Sequence, residues 1–141
     1  LATLERAIEI AVEAHKGQKD KAGIPYVLHP LRLMFKMESN NEKIAALLHD
    51  VVEDSDWTLD DLKKEGFNSD VIEAVSLLTR DEKDSYDEFV QKTVSNPISK
   101  NVKIADINDN LDLNRLNVIM DKDIARIKKY HRILKSITNT N

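Results

Sequence analysis

Apolar residues recur along this chain three or four positions apart, the spacing of one helix face. Leu4, Ile8, Ala11 and Ala14 predict a first amphipathic helix over about residues 3–15. Gly17, Gly23, Pro25 and Pro30 then punctuate the one long irregular segment, residues 17–30. A helix is expected after Pro30, through Leu31 and Met37, followed by another over residues 41–54. Thr58, Ser69 and Ser85 are placed to cap three further helices, whose apolar faces begin with Leu59, Val71 and Phe89. Pro97 suits the first turn of the next, which runs through Val102, Ala105 and Ile107 toward Leu111. Residues 121–137, with Ile124, Ile127, Leu134 and Ile137, form the last. No stretch alternates in the manner of a strand. The expected fold is all-α, a helical bundle in one domain over residues 1–141.

The helix expected over residues 41–54 breaks the amphipathic rule. Ile44, Ala45, Ala46, Leu47, Leu48, Val51 and Val52 make it apolar on nearly every side, the mark of a buried helix. Yet it carries His49, Asp50, Glu53 and Asp54. Burying an unpaired charge costs several kcal/mol, so this group calls for a compensating cation. On a continuous helix His49 and Glu53, and likewise Asp50 and Asp54, would share neighbouring strips of one face. His and Asp side by side can reach one metal ion, while the carboxylates a turn later handle water near it. The pattern is that of a metal-dependent hydrolase with a buried metal site.

Composition narrows the chemistry. The chain has 141 residues, 41% hydrophobic and 33% charged, enough for a sizeable core without staples. It has no cysteine, so disulfides and thiolate metal sites are excluded and a cytoplasmic location is expected. Any ion must be held by His, Asp or Glu, a hard ligand set suited to Mn2+ or another divalent metal. A net charge of −4 argues against nucleic acid as a partner, and no apolar run approaches the roughly 20 residues that would cross a membrane. Oligomeric state is left open. The chain opens on Leu1 rather than Met, so a few preceding native residues are expected.

Three separated segments offer hard ligands: His29, the pair His49-Asp50, and Asp106 within Val102-Lys103-Ile104-Ala105-Asp106. Two imidazoles and two carboxylates match a divalent charge and leave positions for water or a phosphate oxygen. In that order the residues resemble the signature of HD-superfamily metal phosphohydrolases. Closer still, Ala14-His15-Lys16-Gly17-Gln18, the run from Gly23 to Pro30, His49 to Asp54, and Lys103 to Asp106 followed by Asn110-Leu111 look like the hydrolase domain of RelA/SpoT-type alarmone enzymes. The resemblance spans roughly residues 3–115.

That resemblance implies an HD-domain helical bundle and removal of the 3′-pyrophosphate from guanosine bispyrophosphate with Mn2+. It implies metal ligands at His29, His49, Asp50 and Asp106, water-handling carboxylates at Glu53 and Asp54, and nucleotide contacts at Lys21 and Asn110. At this length the chain is expected to be a stand-alone small hydrolase. Two positions depart from the family: Asp20 stands where a basic residue usually precedes the lysine, and Asp109 where His or Tyr is common. Each adds negative charge near a site meant for an anion. Two other readings therefore stay open: hydrolysis of another nucleotide or phosphoester, and a non-catalytic nucleotide-binding module.

Plainer readings cover the rest. His15 is expected to support the site or the fold rather than bind the ion. Lys16, Lys19 and Lys21 form either a phosphate-attracting rim or a solvated turn. Arg126, Lys128, Lys129, Arg132 and Lys135 are expected to be the solvated face of the last helix, with His131 structural.

Overall fold

Local capping chemistry starts most of the helices. The computed structural model describes residues 1–138, and among them are nine helices and no strand. Thr3 accepts the Arg6 N–H at the start of α1 (Leu4–Ala14). Ser39 and Glu42 close a reciprocal capping box on α3 (Asn40–Leu48), and Thr58 and Asp61 do the same for α5 (Leu59–Glu65). Gly66 ends α5 at φ 97°, a left-handed conformation that a side chain would strain. Ser85 caps α7 (Tyr86–Val94), and Asn96 with Pro97 opens α8 (Pro97–Asn110). The last helix, α9, is Asp121–Thr138.

Three expectations about boundaries are corrected. Asn68, not Ser69, caps α6 (Ser69–Leu78): its extended backbone lets its side chain accept the Val71 N–H, while Ser69 already lies inside the helix. The second helix, α2 (Leu28–Lys36), begins before Pro30. Proline is tolerated in that first turn because N–H groups there have no helical partner, so His29 is helical rather than part of the irregular segment. The helix expected over residues 41–54 is broken at His49-Asp50, and a short α4 (Val51–Asp54) resumes after it. The four ionisable groups therefore do not sit on one unbroken helix: His49 and Asp50 lie at the break, Glu53 and Asp54 on α4.

α3 is the central element, packed against α1, α2, α6 and α8. Its Ile44, Ala45, Ala46, Leu47 and Leu48 are all buried. On one side, Leu47, Leu48 and Val51 join Ile10, Leu62, Val71 and Val75 in the largest apolar cluster. On the other, Ala45, Ala46, Ala74 and Ala105 meet with Leu33, Leu78 and Val102. Small side chains at that junction let α3, α6 and α8 approach closely. A third cluster of Val90, Ile107, Ile133 and Ile137 ties α7 and α9 to α8. Each fully buried Leu or Ile contributes roughly 1.5–3 kcal/mol. These contacts bring the C-terminal end of α3, the first turn of α2 and the middle of α8 to one place.

Candidate active site

His49 is the pivot of that place. Its Nδ1 lies 2.6 Å from the Ala46 carbonyl oxygen, which can only accept, so Nδ1 carries the proton. The Nε2 is buried in the site without a hydrogen-bond partner; Asp50 Oδ2 is 2.9 Å away but out of line for one. Donor atoms of His29, His49 and Asp50 all lie within 4.8 Å of one another. Asp106 lies beside this group: its Oδ1 is 2.9 Å from His29 Nε2 and 3.7 Å from His49 Nε2. An orphaned imidazole nitrogen beside three hard donors fits a divalent cation.

The surroundings orient each donor. Tyr26 donates its hydroxyl to Asp50. Lys103, itself buried, reaches Asp106 Oδ2 at 3.3 Å, and Asn110 donates to Asp106 Oδ1 at 3.2 Å. Burial disfavours charge on both imidazoles, yet the facing carboxylates outweigh it: Asp106 and Asp109 raise the His29 pKa, and Asp50 and Asp106 raise that of His49. Burial would likewise raise Asp106, but its bond to His29 and the nearby His49 and Lys103 hold it well below the carboxylate range.

Glu53 and Asp54 stand beside this cluster on α4. Burial, then the Asp50 charge, raises the pKa of both, although Glu53 also accepts the Arg80 backbone N–H. A carboxylate raised in this way is a better proton acceptor near neutral pH. His15 is buried outside the donor group, with Nδ1 2.8 Å from Gln18 Oε1; Gln18 in turn donates to the Asp54 carbonyl. The Ala14–Gln18 motif thus braces α4 against the loop that follows α1.

The cluster opens into a pocket of about 480 Å³ lined by Lys19, Lys21, Asn110, Arg115, Arg126 and Tyr130, with Asp20, Asp50, Asp106 and Asp112 among its walls. That volume suits a nucleotide-sized ligand. Lys19 and Lys21 therefore face the pocket. Burial and the neighbouring Arg126 charge lower the Lys21 pKa, a repulsion that an anion would relieve.

Several expectations change here. Arg126 is not simply solvated: its side chain is 17% exposed, pairs with Asp123 at 3.0 Å and lines the pocket. Tyr130, one turn later, was not anticipated, and only its spacing from Arg126 could have suggested it. Asp109 does not present free charge to a ligand. It is 2% exposed and occupied by His29 and by a two-pronged Arg32 contact at 2.8 and 2.9 Å. Asp20 does not present free charge either, being held by its own turn. Its Oδ1 accepts the N–H groups of Ala22 and Ile24 at 2.8 and 3.0 Å, and its other oxygen lies 3.9 Å from Arg115. Gly23, at φ 78°, permits that tight turn.

The fold is that of an HD-type hydrolase domain. A solved structure described as a metazoan ortholog of SpoT that hydrolyzes ppGpp superposes with a TM-score of 0.80 and 26% identity, covering 100% of this chain and 88% of that one. A guanosine-3′,5′-bis(diphosphate) 3′-pyrophosphohydrolase of Aquifex aeolicus is 33% identical over 120 residues, 77% of this chain and 17% of the relative. One of Vibrio cholerae is 38% identical over 102 residues, 64% of this chain and 14% of the relative. The chain thus spans about a sixth of the length of these curated relatives. No family model matches it. The chain is a homologue of RelA/SpoT-type proteins and has the all-α fold of their hydrolase domain. Among the described residues, no helix is long and apolar enough to cross a membrane.

Proposed function

We propose that this chain is a metal-dependent phosphohydrolase that removes the 3′-pyrophosphate from guanosine bispyrophosphate-type alarmones. The observation that carries the reading is the buried, unpartnered Nε2 of His49 within a His29, His49 and Asp50 donor group whose Asp50 lines a cation-rimmed pocket. His29, His49, Asp50 and Asp106 would hold the ion, with Mn2+ the first candidate on ligand hardness. A divalent ion in such a site supplies charge stabilisation to a phosphoryl oxygen and acidifies water.

The chain's own residues account for the remaining steps. Lys21, Asn110 and Arg126 would receive the phosphorylated nucleotide. Glu53 and Asp54 would orient the attacking water and take its proton as its oxygen bonds to phosphorus; the P–O bond to the ribose breaks, and the ribose oxygen leaves as a hydroxyl after taking a proton from solvent. Tyr26 and Lys103 hold Asp50 and Asp106 in place. A divalent ion would match two of the four pocket carboxylates, Asp50 and Asp106, and the rim would then be net attractive to an anion. The relatives whose names specify the alarmone support this substrate.

Asp20 and Asp112 in the pocket wall favour a second reading, another phosphorylated nucleotide carrying less negative charge. A Mn2+-supplemented screen of alarmones and ordinary nucleotides, with product identification, separates the two. Pyrophosphate release from guanosine bispyrophosphate alone is expected. Preferred turnover of a different nucleotide would move the assignment, and no turnover on any would favour a binding module.

A further inference from the structure

His29 and Arg32 lie three residues apart on α2 and so share one face, as do Asp106 and Asp109 on α8. Across the α2–α8 contact the two pairs interlock. His29 sits between both carboxylates, with Nδ1 2.6 Å from Asp109 Oδ2 and Nε2 2.9 Å from Asp106 Oδ1. Arg32 grips Asp109 with Nε and Nη2, and Arg115 donates to the Asp109 carbonyl at 3.0 Å. The Asp109 side chain is 3% exposed, so this charge is satisfied wholly by protein groups.

We infer that Asp109 is a positioning residue for the metal centre, its carboxylate clamped by Arg32 so that it fixes the His29 imidazole with Nδ1 as donor and Nε2 as the coordinating atom. The inference rests on the metal reading above. The chemistry follows from the donor inventory. A metal-binding imidazole needs a lone pair at one nitrogen and a proton at the other, and an ionised carboxylate can only accept. Asp109 therefore permits a single tautomer and a single ring orientation of His29. It also makes the ring a more basic ligand, as outer carboxylates do for coordinating histidines. Arg32, with Arg115 Nη2 a further 3.7 Å from Asp109 Oδ2, compensates a buried carboxylate that faces a neutral, metal-bound imidazole. Asn would relax this control, since its amide can offer N–H as well as oxygen to Nδ1.

The test uses the full chain with Mn2+ and Zn2+ as probes. Mn2+ affinity is measured by calorimetry on metal-free wild type and Asp109→Asn, each checked for folding by circular dichroism. Asp109→Asn is expected to bind Mn2+ about 10–100-fold more weakly. In the Zn2+-loaded wild type, the His29 Nδ1 proton is expected as a far-downfield NMR resonance that disappears in the variant. Arg32→Lys, which keeps the charge and loses the fork, is expected to weaken Mn2+ binding several-fold and to move the same resonance. It carries the test if Asp109→Asn fails to fold. A purely structural role would lower the thermal midpoint of the metal-free variants while leaving affinity and resonance in place. Affinity within about threefold of wild type in a folded variant, with the resonance unchanged, would overturn the inference alone. Failure of the wild type to bind either ion would overturn the metal reading as well.

Discussion

His49 Nδ1 lies 2.6 Å from the carbonyl oxygen of Ala46, three residues earlier in the chain. This contact commits one nitrogen to the backbone and leaves the other unpartnered in the donor group. The wild-type chain is expected to take up one Mn2+ per molecule, and His49→Gln to lose most of it. Elemental analysis after gel filtration measures this. Full metal content in the variant would show that the ion is held elsewhere.

Glu53→Gln preserves size and removes the charge that accepts a proton. Turnover is expected to fall on the order of 10²–10⁴-fold while metal content stays near that of wild type. Single-turnover kinetics beside elemental analysis separates the two quantities. Loss of both together would make Glu53 part of the ion's support rather than the water's.

The raised pKa values of His29 and His49 give a pH dependence of definite sign. Burial opposes charge on both, but facing carboxylates raise them above the ordinary 6.5. Without metal, the resulting stabilisation is complete below about pH 6.5 and is lost as pH rises through the folded values. The metal-free thermal midpoint should therefore lose this contribution on the alkaline side. Mn2+ competes with those protons, so its apparent affinity should rise over the same window. Melts and titrations between about pH 6 and 9 test both slopes, and Mn2+ affinity that falls with rising pH would contradict the argument.

Asp20 anchors the turn that carries Lys21. Replacement by Arg removes two backbone hydrogen bonds, each worth roughly 0.5–1.5 kcal/mol, and places a second cation near Arg115. Asp20→Arg is expected to lower kcat/KM for every nucleotide tested, whereas Asp20→Asn, which keeps the accepting oxygen, stays close to wild type. A selective gain toward guanosine bispyrophosphate in Asp20→Arg would point instead to direct base recognition at this position.

Arg126 crowds Lys21 in the pocket wall. Arg126→Met is expected to raise KM for a multiply phosphorylated nucleotide more than it lowers kcat, with the larger effect at low salt. Equal KM values at low and high ionic strength would remove Arg126 from substrate binding.

The helical architecture could be read from the chain because its causes are local. Periodic apolar positions and the caps at Thr58 and Ser85 act within a few residues, and they start helices where expected. The candidate donors were equally legible, since His49-Asp50 stands out against an apolar run and Asp106 enters another.

What the tertiary structure alone decided depends on residues far apart along the chain. Asp109 looked like unwelcome charge because its partners, His29 and Arg32, are 80 and 77 residues away. Arg126 looked solvated until α9 brought it beside Lys21. The break at His49-Asp50 was invisible to periodicity, which registers only where apolar positions recur. Propensity and pattern specify a helix and its buried face. Which opposing charges a packed interface brings together is set by how two helices dock, and residue order does not contain that register.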